Sequence, residues 1–308
     1  MEKFFWGKVI GNNQASAWLD VKNSPLENRV AAYTDIGAGR SKNQDAAGAF
    51  YIKDDNHTKI VLALADGLGC YYYAEEGALE AVTQIPRSIG EGKDLLEAFS
   101  DFHSTLLSGF PYLEKPAGVF LQNWETFFPR KSGDKGATTV VVAEISENRM
   151  VLSHAGDSRG YLIRNGQVLT QTRDHSLEEL LATGCTQHEN WPVLKRHHPR
   201  NVLLNAMGMP DPSYYFEEEG KLKSFATGTP QIQEWVLEAG DTVILASDGC
   251  YANLDIESFK KEISKMSLGE LTQFLSEKLK SIFSRAETRK EASLKLDNYT
   301  FLIYRHSA

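Results

Sequence analysis

Four short motifs that contain aspartate are spread along this 308-residue chain, and each could supply oxygen ligands to a cation. They are Arg40-Ser-Lys-Asn-Gln-Asp45, Ala65-Asp66-Gly67, Ser247-Asp248-Gly249 and Asp297-Asn298. Hard divalent cations bind oxygen atoms at short distances, chiefly those of carboxylates, backbone carbonyls and water. Together the four motifs therefore predict a site for magnesium or manganese ions.

Three of the motifs adjoin strongly apolar segments, at residues 59–65, 241–247 and 298–304, that are typical of buried strands. Carboxylates at strand ends can converge on one edge of a sheet, where they repel one another unless cations lie between them. A single Asp-Gly after a strand is more often a turn. That alternative does not explain Asp45 and Asp297, neither of which is followed by glycine. A shared cation site explains all four motifs.

The composition is that of an ordinary soluble globular protein, with 42% hydrophobic and 24% charged residues. The formal net charge of −8 argues against nucleic acid or an anionic membrane as the main partner. No segment of the sequence approaches the roughly 20 apolar residues that span a bilayer. Cys70, Cys185 and Cys250 are too few for a disulfide framework or a paired-cysteine zinc site. We expect a cytoplasmic protein.

Alternating strand and helix signals predict the fold. Residues 138–172 read as successive strands, and Asn165-Gly166 indicates a type I′ hairpin turn. Helical spacing appears in four segments, namely Glu75 to Ile89, Asp94 to Leu107, Leu177 to Thr183 and Leu268 to Ile282. We therefore expect an α+β fold in which two packed antiparallel sheets are flanked by pairs of helices, as an α-β-β-α sandwich.

The first and last aspartate motifs must share one site, which predicts a single domain over residues 1–308. No repeat or long linker divides the chain. Residues 111–136, which are rich in proline and glycine, predict a loop insertion. Residues 184–230 have little periodicity and predict a flap near the site.

Eight short motifs, found in the same order, make the chain resemble the metal-dependent protein phosphatases, the PPM or type 2C family, and especially its bacterial branch. The resemblance extends from about residue 30 to residue 305. The motifs are Arg-x-x-Asn-Gln-Asp (40–45), Ala-Asp-Gly-x-Gly (65–69), Gly-Ala-Thr-Thr (136–139), Ala-Gly-Asp-Ser-Arg (155–159), Asp-His-Ser (174–176), Pro-Arg-Asn-Val-Leu (199–203), Ser-Asp-Gly (247–249) and Asp-Asn (297–298). The family fold agrees with the sandwich expected above.

The resemblance implies two Mn²⁺ or Mg²⁺ ions that share a bridging water. Asp66 would bridge both ions, and the carbonyl oxygen of Gly67 would bind one of them. Asp248 and Asp297 would bind the other ion, while Asp45 would bind an ion or orient a water on it. Asp45 and Asp66 are accordingly the expected catalytic residues.

Two more roles follow from the resemblance. Arg40 would hold the substrate phosphate, for which the planar guanidinium is well suited. Asp157 would join Asp248 in a weaker site for a third ion. Among the neighbours of these residues, we expect Arg159 to make a structural ion pair, and Thr138 and Thr139 to support the site.

The implied activity is hydrolysis of phosphoserine and phosphothreonine in proteins by a metal-bridged water or hydroxide, without a phosphoenzyme. No cysteine is followed by the arginine that cysteine-dependent phosphatases require. The substrate would be a phosphorylated protein, an opposing serine/threonine kinase would act on it, and we expect a monomer. Two alternatives stay open, a catalytically inactive adaptor on the same fold and a hydrolase of small phosphate esters.

Two positions depart from the animal members of that family. Leu68 replaces a histidine proposed as general acid, and Gln44 replaces a glutamate. The group that protonates the leaving oxygen therefore stays open. Four histidines, His154, His175, His197 and His198, are expected to pack or to lie in loops rather than to act in catalysis.

Overall fold

The computed structural model describes residues 4–11, 14–53, 57–71, 73–108, 136–182, 202–209, 213–216, 222–225, 228–289 and 294–307. The expected insertion at 111–136 lies outside these residues except for Gly136. The expected flap at 184–230 is described only in the segments between 202 and 230 given above.

The strands of the described residues, in chain order, are β1 (Phe4–Gly11), β2 (Ser16–Trp18), β3 (Val30–Asp35), β4 (Asp45–Lys53), β5 (Thr58–Asp66), β6 (Val140–Ser146), β7 (Arg149–Ala155), β8 (Arg159–Arg164), β9 (Gln167–Gln171), β10 (Ser213–Phe216), β11 (Leu222–Phe225), β12 (Gln231–Val236), β13 (Thr242–Ala246) and β14 (Tyr299–Arg305). The helices are α1 (Ala74–Gly90), α2 (Leu95–Leu107), α3 (Leu177–Ala182), α4 (Asp248–Tyr251), α5 (Ile256–Ile263) and α6 (Leu268–Arg289).

Two six-stranded antiparallel sheets form the centre of the fold. The first has the strand order β1-β4-β5-β6-β7-β12 and the second the order β2-β3-β14-β13-β8-β9. Strands β10 and β11 form a separate two-stranded sheet within the expected flap. The second sheet places β14 in its interior, between β3 and β13.

The apolar strands are buried on both faces, and this explains why they read as continuous hydrophobic segments. In β5, Leu62 and Leu64 pack against residues of the second sheet, including Leu245 of β13. The alternate residues Val61 and Ala63 pack against α1 and α2. A third apolar cluster lies between the second sheet and α4, α5 and α6. The layers are therefore helix, sheet, sheet and helix, as expected.

Local signals set the helix starts. Asp94 caps α2 because its carboxylate accepts the Glu97 amide at 2.8 Å, and the Glu97 carboxylate accepts the Asp94 amide at 3.2 Å. Ser267 and Glu270 form the same reciprocal pair at the start of α6.

Of the described helices, none is long and apolar enough to cross a membrane.

The predicted strands and helices are present, with small differences in their ends. Asn165 and Gly166 have φ of 51° and 72°, as a type I′ turn requires. Helix α6 continues beyond the expected Ile282 to Arg289. The strands β1 to β4 and β10 to β12 and the short helices α4 and α5 were not predicted from the sequence.

Candidate active site

Asp45 and Asp66 lie side by side at one end of the first sheet. Asp45 is the first residue of β4, Asp66 is the last residue of β5, and the two are partners in the antiparallel register. The Gly67 amide continues the pairing by donating to the Gln44 carbonyl oxygen at 3.0 Å. A Cβ at Gly67 would collide with the carbonyl oxygen of Ala74, so only glycine lets α1 start this close to the strand end.

Asp248 and Asp297 reach the same end of the sandwich from the second sheet. Asp248 begins α4 just after β13, and Asp297 lies just before β14, the antiparallel neighbour of β13. Between β13 and α4, the Ser247 hydroxyl donates to Oδ2 of Asp45 at 2.8 Å. This hydrogen bond joins the two sheets at the point where their carboxylates meet.

The side chain of Asn298 fixes the loop over residues 36–44. Its Nδ2 donates to the carbonyl oxygens of Ile36 and Lys42 at 2.8 Å and 2.9 Å. Its Oδ1 accepts the Gln44 amide at 2.8 Å. The asparagine of the last motif thus anchors the loop that leads to the first motif.

Thr138 and Thr139 hold the backbone of Asp66. The Thr139 hydroxyl accepts the Asp66 amide at 3.2 Å, and the Thr139 amide donates to the Asp66 carbonyl oxygen at 2.9 Å. The Thr138 hydroxyl donates to that same carbonyl oxygen at 2.9 Å. Thr139 also bonds to the hydroxyl of Ser158, next to Asp157, at 2.7 Å. These contacts agree with the supporting role expected for both threonines.

Burial and mutual repulsion raise the pKa values of the clustered carboxyls. Burial raises the pKa of Asp66 well above its usual range, and the charges of Asp45, Asp297 and Asp157 raise it further. Burial also raises the pKa of Asp45 to about 7, against the lowering effect of the Ser247 hydrogen bond. The positive charge near the cluster therefore compensates its carboxylates only in part.

Asp157 lies in the turn between β7 and β8, and only 8% of it is exposed. Burial raises the pKa of its carboxyl to about 6, and the nearby Lys295 ammonium opposes that rise. The structure thus brings Asp157 to the carboxylate cluster.

Two cationic side chains contact the cluster. Arg40 donates from Nη2 to Oδ2 of Asp297 at 2.6 Å, and its side chain is 39% exposed. A Cβ at Gly69 would lie 3.1 Å from Nη1 of Arg40, so the guanidinium reaches over the loop after Asp66. The ammonium of Lys295 forms an ion pair with Oδ2 of Asp248.

The donor set fits a hard divalent cation. Oδ1 of Asp45 and Oδ1 of Asp248 are buried and have no hydrogen-bond partner among the described residues. Unpartnered buried carboxylate oxygens are costly, and Mg²⁺ or Mn²⁺ would compensate them. Within the described ranges, no group of three or more His, Cys, Asp or Glu side chains is placed so that it could hold a metal ion. Two of the carboxylates instead pair with Arg40 and Lys295.

Of the four histidines considered in the sequence, the structure describes His154 and His175. His154 and His175 are buried and stacked, with ring centroids 4.5 Å apart, and burial lowers the pKa of both. Ser176 caps α3 by accepting the Glu179 amide at 3.2 Å. His197 and His198 lie outside the described residues.

Arg159 makes the structural ion pair that was expected. It donates to both carboxylate oxygens of Asp174 at 2.8 Å, and its guanidinium lies 3.8 Å from the ring centroid of Tyr251 in α4. Sequence reasoning missed Lys295, because a lysine two residues before Asp297 matches no motif. It also missed Ser247 as the residue that orients Asp45, although Ser247 stands within a recognised motif.

Comparisons with known proteins place this chain in a family. The protein phosphatase 2C family profile matches residues 38–284. The serine/threonine phosphatase stp of Listeria welshimeri is 31% identical over 241 residues, which cover 77% of this chain and 84% of that protein.

Solved structures share the fold. The serine/threonine phosphatase Stp1 from Staphylococcus aureus superposes with a TM-score of 0.62 at 23% identity, over 91% of this chain and 95% of its own. The catalytic domain of the serine threonine protein phosphatase PstP, solved in complex with 2 manganese ions, gives a TM-score of 0.56 at 21% identity, over 91% and 98% of the two chains. The profile match and the ordered motifs show that this chain belongs to the protein phosphatase 2C family, whose members are metal-dependent serine/threonine protein phosphatases.

Proposed function

We propose that this chain hydrolyses phosphoserine and phosphothreonine in proteins with two divalent cations held at the shared end of its two sheets. The proposed ligands are the carboxylates of Asp45, Asp66, Asp248 and Asp297 and the carbonyl oxygen of Gly67. The manganese pair of the PstP catalytic domain supports two ions, and either Mn²⁺ or Mg²⁺ suits these oxygens. When bound, such a pair acidifies water and stabilises the charge that develops at phosphorus.

The observation that carries the proposal is the incompletely compensated negative charge at the junction of the sheets. Asp45 and Asp66 are register partners, and both carry raised pKa values. Oδ1 of Asp45 and Oδ1 of Asp248 are buried without a hydrogen bond in the described part of the chain. A fold retains such a costly arrangement where cations complete it.

Arg40 is the proposed phosphate anchor. Its guanidinium is partly exposed beside the cluster and is held in place by Asp297. A planar fork of this kind can donate two parallel hydrogen bonds to phosphate oxygens. Arg40 would then orient the phosphoryl group toward Asp45 and Asp66, the two proposed catalytic carboxylates.

We further propose that residues 1–308 form one domain, because each of the two six-stranded sheets contains strands from both halves of the chain. Phosphorylated proteins as substrates imply an opposing serine/threonine kinase. Among the described residues, Cys70 and Cys250 are not joined in a disulfide, which suits the expected cytoplasmic location, and a monomer is the proposed state.

The test is turnover of a phosphothreonine peptide by the purified protein with Mn²⁺, with Mg²⁺ and with a chelator. We expect turnover with either metal and none with the chelator. Asp66→Asn keeps the shape of the side chain but removes the central charge, and it should lower kcat by at least about 100-fold, as loss of a main electrostatic contact does.

Asp101→Asn is the matched control, because it makes the same chemical change at an exposed residue of α2. Asp101 forms an ion pair with Lys93 there. The control substitution should leave turnover unchanged. Normal hydrolysis by Asp66→Asn would contradict the assignment of the site. Much faster turnover of small phosphate esters than of the peptide would instead favour the small-ester hydrolase.

A further inference from the structure

Backbone hydrogen bonds to the side chain of Asn253 hold Lys295 beside the carboxylate cluster. The Lys295 amide donates to Oδ1 of Asn253 at 3.1 Å, and its carbonyl oxygen accepts Nδ2 of Asn253 at 2.8 Å. Asn253 also donates to the carbonyl oxygen of Gly249 at 2.9 Å, so it ties Lys295 to the helix that begins with Asp248. The lysine side chain is only 23% exposed.

The Lys295 ammonium acts on three carboxylates of the cluster. It pairs directly with Oδ2 of Asp248. Its charge also acts on the carboxylates of Asp157 and Asp66. The ammonium is therefore the positive charge that Asp157 and Asp248 share.

The two oxygens of Asp248 have different surroundings. Oδ2 is engaged by Lys295, whereas Oδ1 is buried and has no hydrogen-bond partner in the described ranges. Oδ1 is thus available to one of the two ions proposed above. An additional ion between Asp248 and Asp157 would have to displace the ammonium from Oδ2.

We propose that the ammonium of Lys295 takes the place of a third divalent cation between Asp248 and Asp157, so that this chain binds one ion fewer than its carboxylates alone would allow. The inference rests on the proposed function for the two remaining ions. A tethered ammonium is always present, so the charge at this position does not depend on the metal concentration. A lysine also brings no water ligands, unlike a divalent ion.

The experiment counts Mn²⁺ bound per chain by equilibrium dialysis, without substrate, at saturating Mn²⁺. Lys295→Met removes the charge but keeps much of the length of the side chain. It should bind one more ion than the natural protein. Lys265→Met, which makes the same change at an exposed lysine, and Lys295→Arg, which keeps the charge, should both bind the natural number.

Asp157→Asn identifies where the extra ion lies. In the Lys295→Met background it should return the count to the natural number. In the natural background it should leave the count unchanged, and this measurement does not depend on whether Lys295→Met folds. Loss of an ion from Asp157→Asn while Lys295 is present would overturn the inference, as would an unchanged count in folded Lys295→Met.

These counts can fail independently of the proposed function. The inference concerns a difference of one ion between variants, whereas the proposed function depends on hydrolysis and on its loss in Asp66→Asn. A protein that hydrolyses the peptide but binds equal numbers of ions with and without Lys295 would keep its function and lose only the lysine assignment.

Discussion

Asp45 and Arg40 stand five residues apart in one motif, yet the fold gives them opposite surroundings. Asp45 is 1% exposed and is oriented from the second sheet by Ser247. Arg40 is partly exposed and pairs with Asp297, which precedes a different strand. The motif thus provides a buried carboxylate and a partly exposed cationic side chain from one short loop, whose path Asn298 fixes.

Arg40→Lys tests the proposed phosphate anchor. Lysine keeps the charge but loses the planar fork, so one of two parallel hydrogen bonds to phosphate is lost. A hydrogen bond to a charged group contributes about 1.5–3 kcal/mol. We expect kcat/KM for the phosphothreonine peptide to fall by about 10- to 100-fold.

Steady-state kinetics measure this change, and Arg87→Lys is the control. Arg87 is an exposed arginine of α1 paired with Glu91, and its replacement should leave the kinetics unchanged. Equal kcat/KM for Arg40→Lys and the natural protein would show that the guanidinium fork does not hold the phosphate.

At the scale of elements, the site depends on how closely α4 approaches the start of β14. A Cβ on Gly249 would collide with the carbonyl oxygen of Asn298 and would lie 3.4 Å from Cβ of Asp297. Glycine at this position therefore lets the helix that carries Asp248 sit directly on the backbone beside Asp297. Backbone contact therefore sets the separation of Asp248 and Asp297, two of the proposed ligands.

Gly249→Ala should push α4 away from β14. Inserting a methyl group into such a packed contact costs about 1–3 kcal/mol, and here it also separates Asp248 from Asp297. We expect a lower free energy of unfolding and weaker Mn²⁺ binding, measured by denaturant titration and by dialysis.

Gly269→Ala provides the contrast, since nothing lies within 4 Å of a Cβ at Gly269 in α6. Alanine is the better helix former there by about 0.5–1 kcal/mol, so stability should rise or stay level with Mn²⁺ binding unchanged. Equal effects of the two substitutions would contradict the role given to the α4 contact.

At the scale of the whole molecule, the buried carboxyls link stability to pH. In the metal-free protein, burial raises the pKa of Asp45 from 3.8 to about 7, while the unfolded chain keeps the ordinary value. Between these values the folded state binds more protons than the unfolded state. The free energy of unfolding of the metal-free protein should therefore fall as pH rises from about 4 to about 7.

Chemical denaturation in chelator across this pH range measures the effect, and Asp45→Asn isolates it. The difference between the two proteins should change by up to ~1.4 kcal/mol per pH unit from this carboxyl. Added Mn²⁺ should stabilise the natural protein more at pH 7.5 than at pH 5.5, because protons compete with the metal at low pH. A difference that is flat with pH would contradict the raised pKa of Asp45.

Local patterns predicted most of the sandwich, and particular residues explain why. Val61 to Ala65 read as a buried strand because both faces of β5 are covered. The spacing over Asp94 to Leu107 predicted α2, and the structure adds the local cap formed by Asp94 and Glu97. Strand β1 gave a weaker signal, since it includes Gly7 and exposed Val9.

The remaining features depend on contacts between distant parts of the chain. Nothing near Asp45 in sequence indicates that Asp66 is its register partner or that Ser247 orients it. Lys295 likewise has no local signal, because its partner Asp248 comes from another element. The ligand types were therefore predictable, whereas the charges that balance them required the fold.

The interior position of β14 also affects how the protein is made. On the ribosome, β3, β8 and β13 emerge before β14, but β14 must insert between β3 and β13 to complete the second sheet. Asp297 arrives with that last insertion. We therefore expect the proposed cation site to be complete only after β14 has paired with both β3 and β13.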